Sequence, residues 1–252
     1  MNLTGMKAVV IGGTSGIGKA LALGLARAGA DVAASSRSSD MVNSTADEIE
    51  SLGVASLRVC SDVCDRRSLE SLRDSVVTSF GTIDILVNSA GVTRRVPTLE
   101  MDEPTWNEIF NVNLTGTLRA CQIFGENMLK QRFGRIINIA SLSSFVAFQE
   151  VAAYGASKTA VASLTRSLAV EWSNLGVTVN AIAPGIFPTL LNRKIIDSPR
   201  GHELLLRTPM GRFGEPPELV TTAIYLASRE TSFTTGQIIT VDGGMMASGV
   251  NQ

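Results

Sequence analysis

The chain has 252 residues, 44% hydrophobic and 18% charged, enough apolar material for a full core at a length that α/β folds commonly use undivided. A formal net charge of −1 with no basic stripe argues against nucleic acid as a partner. Three cysteines and one histidine, His202, support neither a disulfide framework nor a metal site, and no apolar stretch reaches the ~18 residues of a membrane span, so a soluble cytoplasmic protein is expected.

Taken in order, the chain alternates short apolar runs with longer amphipathic segments. Met6–Ile11, Asp31–Ser35, Ala55–Cys60, Ile83–Val87, Arg135–Ala140 and Val177–Ile182 read as buried parallel strands, with Gln237–Val241 as a seventh. Between Asp65 and Gly81, the residues Leu69, Leu72, Val76 and Phe80 make one apolar stripe, with Asp65 placed to cap the helix start and Gly81 to stop it. This alternation implies a single-domain α/β fold over residues 1–252: a doubly wound parallel sheet of about seven strands with helices on both faces, Rossmann-like.

Directly after the first run, Gly12-Gly13-Thr14-Ser15-Gly16-Ile17-Gly18 opens a helix read as Lys19–Ala28. Glycines at 12, 16 and 18 permit a tight turn and let N–H groups at a helix N-terminus approach a pyrophosphate. Ligands of open parallel sheets bind outside the carboxyl ends of the strands. There the chain places Gly12, Arg37, Asp62, Asn88-Ser89-Ala90-Gly91, Ser141 and Pro184-Gly185, so the strand ends converge on one crevice.

Tyr154 and Lys158 are four residues apart in a segment whose apolar positions Val161, Leu164, Leu168 and Trp172 recur at helical spacing, so both side chains leave one face. An ammonium beside a phenol favours the phenolate, and the expectation is a Tyr154 pKa drawn down from its ordinary value of about 10. Ser141 adds a hydroxyl at a strand terminus, where loops build sites.

Together these residues resemble the short-chain dehydrogenase/reductase family, over nearly the whole chain. The motifs are G-x-x-x-G-I-G at Gly12–Gly18, D-V at Asp62-Val63, N-S-A-G at Asn88–Gly91, N-V-N-L-T-G from Asn111, Ser141, Y-G-A-S-K at Tyr154–Lys158, and P-G-x-x-x-T at Pro184–Thr189. The resemblance implies Tyr154 as acid/base, Lys158 as holder of the nicotinamide ribose, Ser141 as hydrogen-bond partner of the substrate oxygen and Asn113 as anchor of a water relay. It implies a nicotinamide dinucleotide held by Gly12, Thr14, Ser15, Gly16, Ile17, Gly18, Ser36, Arg37, Asp62, Val63, Asn88, Ala90, Gly91, Tyr154, Lys158, Pro184, Gly185, Ile186 and Thr189. Two positions depart from the family pattern: Ile11 replaces a loop-bracing Thr, and Ser89 replaces the second Asn of N-N-A-G. Family members usually assemble as tetramers through the helix carrying Tyr154 and the segment around Val241–Met246.

Cofactor choice turns on Ser36 and Arg37. NAD-preferring enzymes commonly carry an acidic residue where Ser36 stands, whereas a hydroxyl and a guanidinium suit a 2′-phosphate, so NADP(H) is expected over NAD(H). At the substrate end, Arg94-Arg95 suits a carboxylate, and with Pro209–Pro216 resembles the branch that oxidises sugar acids. Arg94, Arg95, Phe148 and Phe187 are the expected substrate residues, under a lid around 186–213. The alternative is a 3-oxoacyl-carrier-protein reductase, for which Arg132 matches one of two basic positions and Leu175 departs at the other. A non-catalytic dinucleotide-binding module would show a broken Asn113/Ser141/Tyr154/Lys158 set, and all four are present.

Overall fold

A computed structural model describes residues 1–189 and 196–249. Its strands are β1 (Lys7–Ile11), β2 (Asp31–Ser35), β3 (Ile85–Asn88), β4 (Gly134–Ile139), β5 (Val177–Pro184) and β6 (Ile238–Val241). They form one six-stranded sheet in the order β2-β1-β3-β4-β5-β6, every pair parallel. Its helices are α1 (Gly16–Arg27), α2 (Ser39–Glu50), α3 (Arg66–Phe80), α4 (Glu103–Phe110), α5 (Gly116–Lys130), α6 (Ala152–Trp172), α7 (Pro199–Leu206) and α8 (Val220–Ala227).

Side chains alternate across a strand, and here both faces are covered. In β1, Ala8 and Val10 join the core under α1, with Leu21, Leu25 and Ala223, while Val9 and Ile11 join the core under α3, α5 and α6, with Leu72, Phe124 and Leu168. Local signals set the helix ends. Asp65 accepts a hydrogen bond from Arg67 N at 2.9 Å, and Gly81 ends α3 at φ 79°, a left-handed conformation that costs glycine little.

The expected third strand, Ala55–Cys60, is not one. Among the described residues it meets the sheet at a single isolated bridge, Val32–Ser56. One backbone bond forms there, Val32 N to Ala55 O at 3.0 Å, and side chains take the place of further ladder bonds: the Ser56 hydroxyl donates to Val32 O at 2.8 Å, and the Ser35 hydroxyl to Val59 O at 2.6 Å. Leu57 and Val59 still pack partly buried against the core, which is why the run reads as a strand. Helix α1 also begins earlier than expected, at Gly16, inside the glycine turn.

After β1 the chain moves outward to β2, then returns to pair β3 on the other side of β1. The connections diverge at this point and leave a crevice at the carboxyl ends. A π-helical turn, Asn111–Thr115, joins α4 to α5 and carries a fully buried Asn113. Among the described residues no helix is long and apolar enough to cross a membrane.

Candidate active site

The turn after β1 lies against the loop after β3. A Cβ on Gly12, whose φ is 74°, would stand 2.7 Å from Ala90 N, and one on Gly18 would stand 2.0 Å from Gly12 O. Only glycine permits this approach. Ser15 makes no side-chain cap and the first turn of α1 holds no acidic residue, so its N–H groups are left to face an anion.

Around this turn the strand ends enclose a cavity of about 640 Å³, in the usual range for cofactor and ligand sites. Of the expected cofactor residues, Gly12, Ser15, Gly16, Ile17, Gly18, Ser36, Arg37, Asp62, Val63, Ala90, Gly91, Tyr154, Lys158, Pro184, Gly185 and Thr189 line it. Thr14, Asn88 and Ile186 do not. The buried Thr14 hydroxyl donates to Ser36 Oγ at 2.7 Å, bracing that residue from behind. Asn88 lies within the sheet, where its Nδ2 donates to Asn138 Oδ1 at 2.8 Å. Ile186 contributes its carbonyl to Gly214 N at 3.0 Å. The glycine turn, the anion-facing helix start and the cavity's volume together fit a dinucleotide.

At the inner end, Tyr154 and Lys158 stand on consecutive turns of α6, opposite Ser141 at the end of β4. Lys158 Nζ donates to Ile139 O at 2.7 Å and lies 5.8 Å from the Tyr154 ring centroid. Burial has the larger influence on both groups. It pushes the Tyr154 phenol up, opposed by a hydrogen bond from Ser141 that favours the phenolate. It pulls the Lys158 ammonium down to about 8. The lowered Tyr154 pKa expected from the neighbouring cation is therefore not found: desolvation outweighs the one opposing influence, the Ser141 hydrogen bond. At pH 7 the pair stands as neutral phenol and ammonium.

The neighbouring serines brace the loop. Ser143 N donates to Ser141 Oγ at 3.1 Å, and the Ser144 hydroxyl donates to Lys158 O at 2.8 Å. Asn113 does not line the cavity. Its Oδ1 accepts from Val92 N at 2.8 Å, and its Nδ2 donates to Val92 O at 2.9 Å and Ser157 Oγ at 3.0 Å.

The expected twin-arginine clamp is divided. Arg94 lines the cavity and pairs with Glu108 at 3.2 Å, but Arg95 turns away to Glu150 at 2.6 Å and does not line it. Phe187 lines the cavity, buried with its ring filling the space beside Gly214, whereas Phe148 stands outside the lining. Of the lid expected around 186–213, residues 190–195 lie outside the described residues. Glu108 and Val112 line the cavity without having been singled out in the sequence, and Ser89, noted there only as a departure from the family pattern, lines it too. Glu108 precedes Asn113 by five residues across the π turn, a spacing that a search at 3.6 residues passes over.

A family model described as enoyl-(acyl carrier protein) reductase matches residues 12–246. The chain is 41% identical over 250 residues to 2-dehydro-3-deoxy-D-gluconate 5-dehydrogenase of Bacillus subtilis, covering 98% of this chain and 96% of that one. It is 37% identical over 246 residues to a 3-oxoacyl-[acyl-carrier-protein] reductase of Thermotoga maritima, covering 98% and 100%. Among solved structures, a gluconate 5-dehydrogenase from Burkholderia cenocepacia J2315 in complex with NADP and tartrate superimposes with a TM-score of 0.95 at 36% identity, over 98% of each chain.

The crowding at Gly18 yields a prediction. Gly18→Ala forces the turn apart, and an overpacking cost of about 1–3 kcal/mol at that point weakens dinucleotide binding about tenfold or more. Calorimetric titration reads this directly, and an unchanged Kd shows that the turn is not where the dinucleotide is held.

Proposed function

Since the chain belongs to the short-chain dehydrogenase/reductase family, oxidoreductases acting on CH–OH groups with NAD(P), we propose that it interconverts a secondary alcohol and a ketone on a sugar acid, with NADP(H) preferred. The Ser141–Tyr154–Lys158 cluster at the inner end of the cavity carries the reading. A bound nicotinamide dinucleotide would supply the hydride donor or acceptor.

The chain's own part is to orient and to move one proton. In reduction, the neutral Tyr154 phenol gives its proton to the carbonyl oxygen as that oxygen gains charge, while the Ser141 hydroxyl donates a hydrogen bond to the same oxygen. Oxidation runs in reverse, the Tyr154 oxygen taking the alcohol proton, and so is favoured as pH rises. The Lys158 ammonium steadies the phenolate left after reduction and offers its protons to the ribose. The Gly12–Gly18 turn would hold the pyrophosphate, Asp62 and Val63 the adenine, and Thr189 the carboxamide. Asn113 acts from behind the cavity wall.

For cofactor choice, Ser36 is braced by Thr14 and Arg37 is exposed at the cavity rim, so a hydroxyl and a cation stand where a carboxylate would repel a 2′-phosphate. For the substrate, the Arg94–Glu108 pair offers a guanidinium to a carboxylate and a carboxylate to hydroxyls. The names of the Bacillus and Burkholderia relatives support a sugar acid. The Thermotoga relative and Arg132 favour a second reading, reduction of a 3-oxoacyl thioester on a carrier protein. A cytoplasmic homotetramer with a substrate lid around 186–213 completes the proposal.

A panel of sugar acids, neutral polyols and 3-oxoacyl thioesters, read by nicotinamide absorbance, tests the substrate. Turnover of a sugar acid is expected, with Tyr154→Phe lowering kcat by about 10²–10⁴ and leaving cofactor binding in place. Arg94→Ala raises KM for the acid far more than for a neutral analogue. Activity confined to 3-oxoacyl thioesters establishes the second reading instead.

The cofactor claim has its own test. Ser36→Asp is expected to shift the NADP/NAD ratio of kcat/KM toward NAD, whereas a wild type that already favours NAD contradicts the role given to Arg37.

A further inference from the structure

Two buried hydroxyls anchor helix α6 to the elements beneath it, in the same manner. Asn113 Nδ2 donates to Ser157 Oγ at 3.0 Å, and Ser157 Oγ donates to Tyr154 O at 2.7 Å. Further along, Asn138 Nδ2 donates to Thr165 Oγ1 at 2.9 Å, and Thr165 Oγ1 donates to Val161 O at 2.8 Å. Both hydroxyl residues are fully buried. A helix serine or threonine that bonds to the preceding turn is ordinary, as Thr117 and Thr159 also show, and by itself has only a structural meaning.

Ser157 differs in what it joins. Its acceptor is the carbonyl of Tyr154 itself, on the first turn of α6. That turn has no side-chain cap, Val151 standing at the N-cap with no acidic residue in the first turn, so the Ser157 link adds to two backbone bonds, Gly155 N to Val151 O at 2.9 Å and Val96 N to Glu150 O at 2.8 Å. The preceding Glu150 holds a φ of 64°, so no regular backbone leads into the helix. On its other side Ser157 is held by Asn113, whose remaining bonds grip Val92 N and Val92 O on the loop that lines the cavity. The loop after β3, the π turn and the Tyr154 turn thus form one hydrogen-bonded unit, and Ser157 is the link that reaches Tyr154.

We propose that Ser157 is a positioning residue for the reaction: it transmits the grip of Asn113 to the Tyr154 carbonyl and so fixes where the phenol meets Ser141 and the substrate oxygen. This rests on the reading of Tyr154 as the acid/base group. Thr165 provides the internal comparison, since it makes the same pair of bonds two turns beyond Lys158, away from the reacting atoms.

The test compares Ser157→Ala, Ser157→Thr and Thr165→Val by thermal unfolding, cofactor affinity and steady-state kinetics. A misplaced catalytic group costs up to about a hundredfold, so Ser157→Ala is expected to lower kcat by about ten- to a hundredfold, with KM and cofactor Kd unchanged. Ser157→Thr, which keeps the hydroxyl, recovers most of that loss. Thr165→Val lowers Tm but leaves kcat as in the wild type. Wild-type kcat in Ser157→Ala overturns the proposal, as does an equal loss of kcat in Thr165→Val, which would make both links merely structural. If Ser157→Ala does not fold, Ser157→Cys, of similar size but a poor hydrogen-bonding group, is read in its place by the same criteria. Tyr154→Phe run alongside separates the two claims: if it retains full turnover, the acid/base reading has failed, and if it is inactive while Ser157→Ala is normal, the positioning role alone has failed.

Discussion

The site depends on a buried cation. Lys158 is 5% exposed, and its ammonium is held by a backbone carbonyl, Ile139 O, at the end of β4. Burying a charge against a neutral acceptor costs free energy, and the fall of its pKa from 10.5 to about 8 reflects that cost. The sign follows from proton linkage: between about pH 8 and 10.5 the unfolded chain binds more protons at this lysine than the folded one. The penalty is therefore present in full below pH 8 and relieved as pH rises toward 10.5. In return, a cation is fixed at the point where β4, α6 and the loop after β3 meet.

Around that lysine, rigid elements set distances and loops supply chemistry. Strand β4 places Ser141 and the Ile139 carbonyl, helix α6 places Tyr154 and Lys158 one turn apart, and the π turn places Asn113 behind both. The cofactor end is built differently, from a glycine turn whose backbone can approach Ala90 closely because no Cβ intervenes. The charged pair Arg94–Glu108 stands on the cavity wall with both side chains about half exposed, so it can exchange partners in a way the buried Lys158 cannot.

Local signals were legible in the sequence wherever one physical cause decided the outcome. Strand Asp31–Ser35 has the bounds its apolar run indicates, and α3 begins after Asp65 and ends at Gly81 because capping oxygen and left-handed glycine act within a turn. Long-range competition was not legible. Ala55–Cys60 has a strand's alternation, but whether backbone or side chain fills the bonds of β2 depends on Ser35 and Ser56 meeting the opposite segment. Spacing tells that a cation neighbours Tyr154, yet says nothing of how deeply both groups are buried, and burial decides the direction of the Tyr154 shift. Arg95 reads as a twin of Arg94 until Glu150, remote in sequence, takes its guanidinium. Ser157 lies inside a motif read for its Tyr and Lys, and only the Asn113 contact gives it a distinct part.

In the proposed reaction the Ser141–Tyr154–Lys158 cluster removes the proton of an alcohol whose carbon-bound hydrogen leaves as hydride, without passing through solvent. The most direct measurement follows that hydrogen: a sugar acid that turns over is deuterated at its carbinol carbon, oxidised with NADP, and the reduced cofactor is examined by NMR. Deuterium is expected at C4 of the nicotinamide, on one face only, with full retention of the label. Deuterium lost to water, or distributed over both faces, would contradict direct transfer at an oriented site.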